Sequence, residues 1–348
     1  MRKLLLGTTA LAAAATLSAN VAVADVSISG YYEWKYQSTS SDITANDGTT
    51  FDSDSEIAFK FSNKTDSGLD LSLTVEMYSD GDEANNTDEA SLSIAGGFGK
   101  IVLGQNDGVG DNYGIASTDL PAEEIYAGTG TDNDMVLVNA DINGLSGDAN
   151  KISYHLPAMG GLTAGVSFQN SGAAGSTDTT EFGAQYSMEA GGAAITLGYA
   201  SATKEASSQD TDTTAIGVKV VSGNITAAVS QSTFEKAATA AVAGTASSTT
   251  AARVAPIDAV DKADEESTGA AVSFKVNDGM TITVHTAETD DGQTTESYSN
   301  SGVEVAYTVA PGLSAYLNIE DYDYKAGTST GNTNDSGTAS KITIKASF

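Results

Sequence analysis

Between Asn106 and Asn150 the chain carries nine carboxylates, Asp107, Asp111, Asp119, Glu123, Glu124, Asp132, Asp134, Asp141 and Asp148, and no lysine or arginine. A segment of that kind can attract and hold cations. The run Asn106-Asp107-Gly108-Val109-Gly110-Asp111-Asn112, and the pair Asp52 and Asp54, offer oxygen ligands at the close spacing Ca²⁺ uses. Neither has the calcium-loop spacing with its closing bidentate Glu, so Asp107 and Asp111 stand as weak Ca²⁺ candidates and no other cofactor is indicated. Covalent chemistry has little to work with. His155 and His285 are the only imidazoles, and no serine beside either sits in an elbow or triad motif. The chain has no Cys, which removes disulfides, zinc–thiolate sites and thiol nucleophiles. With 46 acids against 16 bases and a formal charge of −30, it lacks the basic surface that nucleic-acid phosphates need. The expectation is therefore a protein that is not an enzyme.

The first residues set the compartment. Arg2 and Lys3 precede an apolar run from Leu4 to Leu17, and small residues lead to Ala22-Val23-Ala24. This is the three-part pattern of a secretory leader over residues 1–24, cleaved after Ala24. Its removal leaves 324 residues, 25–348, and takes Arg2 and Lys3 away, so 14 bases face 46 acids and the charge becomes −32.

Beyond Asp25 the recurring signal is alternation with a period of two, which puts successive side chains on opposite faces of a strand. In Val26–Gln37 the apolar or aromatic set is Val26, Ile28, Gly30, Tyr32, Trp34 and Tyr36; in Leu69–Tyr78 it is Leu69, Leu71, Leu73, Val75 and Met77. Sixteen such segments begin near Val26, Glu56, Leu69, Glu89, Lys100, Lys151, Leu162, Glu181, Ala193, Thr213, Asn224, Thr268, Met280, Ser297, Leu313 and Thr338. Seven short Gly-bearing turns alternate with eight long polar loops, the third of them Asn106–Asn150. No segment of the mature chain has the 18 or so consecutive apolar residues of a spanning helix. An even strand count, short turns at one end and long loops at the other describe an all-β, 16-stranded antiparallel transmembrane β-barrel, a single domain over 25–348. Closure satisfies every backbone group in lipid. The apolar set then faces lipid and the polar set a wet lumen, and Tyr32, Trp34 and Tyr36 fit an interfacial girdle.

Parity now sorts the lysines. Lys35, Lys60, Lys100, Lys151, Lys219, Lys275, Lys341 and Lys345 point into the lumen, as a charge must when facing lipid costs about 2–4 kcal/mol at the midplane. Closure makes the first and last strands neighbours, so Lys35, Lys60, Lys341 and Lys345 can share one wall.

The stretch FGKIVLGQNDGVGDNYGIASTDLPAEE, Phe98–Glu124, resembles the Gram-negative general porins at their run of tight turn, strand and departure into an inward-folded third loop. Asp119-Leu120-Pro121-Ala122-Glu123 is similar to that loop's tip. The alternating end Ile342, Ile344, Ala346, Phe348 resembles the family's signal for the barrel-assembly machinery. The nearest likeness is to alphaproteobacterial porins. The resemblance implies an outer-membrane homotrimer that passes ions and small hydrophilic solutes through an eyelet formed by residues 106–150. Gln105, on the barrel wall, stands where relatives often place Arg. Arg253 is the only arginine left after processing, so any field at the eyelet is expected from Lys and from acids. Rings of Asp and Glu favour cations. The expectation is a cation-preferring pore with Asp119, Glu123 and Glu124 as its foremost eyelet acids. Divalent ions at acidic loops could bridge to lipopolysaccharide. A substrate-selective channel of the same fold, or a surface structural or adhesion β-protein, are the alternatives.

Overall fold

The computed structural model describes residues 25–43, 47–78, 87–122, 126–127, 135–136, 145–170, 178–205, 210–236, 263–291, 297–325 and 334–348. The expected leader, residues 1–24, lies outside them. The strands are β1 (Asp25–Ser41), β2 (Gly48–Lys64), β3 (Asp70–Tyr78), β4 (Ala90–Gly96), β5 (Gly99–Asn106), β6 (Tyr126–Ala127), β7 (Met135–Val136), β8 (Ala149–His155), β9 (Leu162–Asn170), β10 (Asp178–Ala190), β11 (Ala193–Glu205), β12 (Thr211–Ser222), β13 (Ile225–Lys236), β14 (Ala263–Asn277), β15 (Met280–Asp291), β16 (Ser297–Ala310), β17 (Leu313–Lys325) and β18 (Asp335–Ser347). Sixteen of them close a barrel in chain order, while β6 and β7 pair with each other in the segment between β5 and β8. Closure is antiparallel, β1 running against β18 from Tyr31↔Ser347 to Ser41↔Gly337.

The expected alternation is present on the two faces. Ile28, Ile152, Val229 and Tyr307 are 61%, 58%, 54% and 52% exposed, as are many of their counterparts on other strands, because they form the outward belt. Inward positions hold Glu33, Lys151, Glu181, Glu304, Glu320 and Lys341, all buried. A soluble protein would be built the other way round; here the apolar side chains meet lipid and the polar ones meet each other and water.

Several strands run further toward the long loops than the alternation indicates. β2 begins at Gly48 rather than near Glu56, β14 at Ala263 rather than near Thr268, and β18 at Asp335 rather than near Thr338. Apart from Phe51, which stacks on Trp34 on the outer face, the extra residues are mostly polar on both faces, so no period marks them. They pair because the register set lower down carries on through backbone hydrogen bonds, as in Glu33↔Asp54 and Lys35↔Asp52. The wall is also uneven. β3, β4, β5, β8 and β9 have seven to nine residues, against twelve to seventeen in the other barrel strands. At roughly 3.3 Å per residue these strands are only about 23–30 Å long.

Candidate functional site

The third long loop leaves β5 and lies against the polar face of the opposite strands through residue 122. A five-residue helix, α1 (Val109–Tyr113), comes first, and a 3₁₀ turn, Ser117–Asp119, follows. α1 packs on β9, β10 and β11. The wall makes room with glycine: a Cβ at Gly198 would stand 2.7 Å from Ile115 Cγ1, and at Gly183 and Gly217 it would strike the carbonyls of Val109 and Ile115. Val109, Ile115 and Ala116 are buried in this seat. Tyr113 meets His155 on the wall, hydroxyl to Nδ1 at 2.8 Å.

Two wall carboxylates hold the loop. Glu181, 1% exposed, accepts from the Gly110 amide at 3.0 Å, from the Ser167 hydroxyl at 3.2 Å and from the Ser146 amide, so one side chain ties the outgoing and returning limbs. Lys151 completes this neck by donating to the carbonyls of Ser146 and Gly147 at 2.9 and 2.8 Å. Hydrogen bonds to charged groups are worth about 1.5–3 kcal/mol each, so the neck is the firm end of the loop. Further on, the Ser117 amide donates to Ser230 Oγ at 2.8 Å on β13, and the Ala122 amide to Glu304 Oε1 at 2.9 Å on β16. Asn318 donates to the other Glu304 oxygen at 3.1 Å. One pleat away His285 meets Glu320 at 3.0 Å, and Asn300 donates to the same carboxylate at 3.1 Å. Both imidazoles are thus wall polarity, as the sequence implies.

The carboxylates expected at the eyelet part company here. Asp119 is exposed, its Oδ2 accepting from the Ala116 amide at 3.0 Å to close the 3₁₀ turn. Glu123 and Glu124 lie outside the described residues. Asp111 is exposed on α1 and belongs to neither of the carboxylate groups found among the described residues. Asp107 does: its carboxylate and those of Glu89 and Asp148 have oxygens within 4.8 Å of one another, and so do Glu56, Glu76 and Asp88. These six acids crown the low wall of β2, β3, β4, β5 and β8 where the long loops begin. Both trios present hard oxygen donors of the sort Ca²⁺ accepts, with Asp107 a member and Asp111 not. Burial is the main force pushing Glu89 up to about 8, helped by its hydrogen bond to Asp148 and by the charges of Asp107, Asp148 and Glu76. Asp88 and Asp107 are raised for the same first reason, with Asp148 adding to both. Glu56, Glu76 and Glu89 carry no mark in the sequence, because each is one polar residue in an alternating segment. Only register brings them together, through Glu56↔Tyr78 and the backbone bonds between Glu76 and Glu89.

The lysines tell a different story. Lys35 lies 3.2 Å from Glu33 and 3.6 Å from Asp54, while Lys345 pairs with the other Glu33 oxygen and stands 4.2 Å over the Tyr31 ring. Lys341 is buried on the same wall. Lys60 is exposed on the lumen row, opposite Thr74 and Ser27, and Lys100 lies opposite His155. Gln105 is a correction. It pairs with Ala90 and Asn150, on the row that continues outward-facing Leu103 and Ile152, so its side belongs to the outer face and not to the pore wall. The lumen residue beside it is Gly104, opposite Lys151.

The profile of the Gram-negative porins matches residues 7–327. The chain belongs to that family. Its barrel is that of an outer-membrane channel, and the solved structures agree on the fold. OmpT of Vibrio cholerae, in a trimer form, superposes with a TM-score of 0.67 at 13% identity over 93% of this chain and 99% of its own. An anion-selective porin from Comamonas acidovorans gives 0.63 at 15%, over 93% and 100%. A porin structure refined at 1.8 Å gives 0.61 at 19%, again over 93% and 100%. No curated protein sequence matches the porin described here.

Proposed function

We propose that this porin is a cation-preferring general diffusion pore, narrowed by its third loop and assembled as a homotrimer after loss of residues 1–24. The observation that carries the reading is the inequality of the two charged walls. Six carboxylates crowd the rim of the low wall; Lys151 stands near Glu89, Asp107 and Asp148 but is committed to two carbonyls, and Lys345 reaches Glu56 but is paired with Glu33. The basic wall is cancelled from within by Glu33 and Asp54. Cations entering past the rim meet an uncompensated negative field, which low-dielectric walls focus.

The relative named anion-selective indicates that the fold supports either sign, so selectivity belongs to the fixed charges. The trimeric form of OmpT supports the oligomer. Asp119, with Glu123 and Glu124 beside the Ala122 anchor, would extend the acidic path along the loop. Phe348, 86% exposed, is available to the assembly machinery, and lipopolysaccharide is the expected neighbour outside.

Liposome swelling in isotonic sugars of graded size tests the pore. Uptake that falls smoothly with solute size supports a general channel. Saturable uptake of one solute would make it a selective one, and no swelling would make it a structural protein.

A further inference from the structure

We infer that the pore rectifies ion current, because its lumen charges lie in series along the axis rather than only across it. The inference rests on the porin reading above. The six rim carboxylates sit where the long loops begin, and Asp52, Asp54 and Glu181 are inward acids in the same half. Toward the short turns the inward charges are mostly lysines. Lys60 is four residues from the end of β2, Lys219 three from the end of β12, and Lys100 is the second residue of β5. Inward parity follows for Lys60 from outward Ile57 and Phe61, for Lys219 from outward Ile216 and from Gly217 against Ile115, and for Lys100 from its pairing with buried His155, which meets Tyr113 of the loop. None of the three has an ion-pair partner among the described residues. Lys64 and Lys275, at the very end, are matched by Asp70 and Asp278 at 3.0 and 2.9 Å. Asp25 and Glu189 are the remaining strand acids there, each at a strand's terminal or penultimate position. The lumen therefore changes from densely acidic to balanced or weakly basic along its length.

Such a pore is a junction. With the long-loop side positive, cations enter through the acidic half and anions enter from the lysine-bearing half. Each ion meets the barrier only after passing its favourable zone, so both accumulate at the junction and current is high. With the polarity reversed, each ion must enter through the zone that excludes it, and the junction empties. The effect requires that the Debye length rival the pore radius, about 10 Å at 0.1 M salt but only about 3 Å at 1 M.

The test is single-channel recording from the purified full chain at equal and opposite voltages, read before any voltage-dependent closure. The chain has no cysteine, so an Asp47→Cys variant treated from one side with an impermeant thiol reagent reports which end faces that side. In 0.1 M KCl the current is expected to be at least about 1.5-fold larger with the long-loop side positive, and the ratio to fall toward one in 1 M KCl. Lys60→Glu with Lys219→Glu makes both ends acidic and brings the ratio toward one in 0.1 M salt. Open channels with equal currents, or with the larger current at the opposite polarity, would overturn the inference and leave the porin reading intact. Absence of any channel would overturn both.

Discussion

The two charged stretches of the inner wall differ in how their charges are matched. On β1 and β18, Lys35 and Lys345 share Glu33, with Asp54 within reach, so the charges neutralise one another at contact distance. On β2 to β5 and β8, two trios of carboxylates face one another across gaps too short for comfort, and like charge meets like. The lesson is that counting lumen lysines against lumen acids misjudges the field. A paired charge is nearly silent a Debye length away, whereas a crowded unpaired group acts on every passing ion.

The comparison can be broken most forcefully from the acidic side. Glu56→Gln, Glu76→Gln and Glu89→Gln together remove half of the rim carboxylates, and the cation-to-anion permeability ratio should fall by about threefold or more. Measured from zero-current potentials, an unchanged ratio would mean that the rim does not set selectivity. A second, gentler handle is pH. Because burial and like-charge neighbours raise Glu89 to about 8, and raise Asp88 and Asp107 as well, their charged forms are disfavoured. Raising the pH deprotonates them and strengthens cation preference; lowering it weakens the preference. The ratio should decline between about pH 9 and about pH 6, a window where ordinary carboxylates stay ionised. A flat profile over that window would show that the rim acids are not crowded in solution. The smallest effect is expected on the paired wall. Lys345→Met leaves Glu33 with Lys35, so the permeability ratio should move by only about a tenth, toward cations. A large change there would mean that the basic wall, and not the acidic rim, governs the pore.

Much of the fold is legible in the chain. Period-two alternation exposes the strands, since one face must suit lipid and the other water, and Gly-bearing short turns against long polar loops give the order of the barrel. What escapes is the upper reach of β2, β14 and β18, where, Phe51 apart, mostly polar residues fall on both faces and leave no pattern. The site is less legible for a related reason. Parity alone assigns Lys35, Lys100 and Lys345 inward, as the register does. Gln105 looks like a wall residue by its likeness to an arginine position, yet register sets it outward. The density of acids in residues 106–150 does point to Asp107 and Asp148, but their partners Glu56, Glu76, Asp88 and Glu89 lie far earlier in the chain, and only cross-strand pairing brings them to the same rim. Glu181 and Glu304 likewise carry no local mark. Their role in seating the loop arises because the loop's backbone amides need acceptors once they lie against the wall.

The most direct test is the zero-current potential of the wild-type channel in a KCl gradient at neutral pH, with low salt on one side to keep screening weak. Cations crossing preferentially from the concentrated side leave the dilute side positive, and that sign is the prediction. A dilute side that becomes negative would contradict the acidic rim as the selectivity-determining feature of this pore.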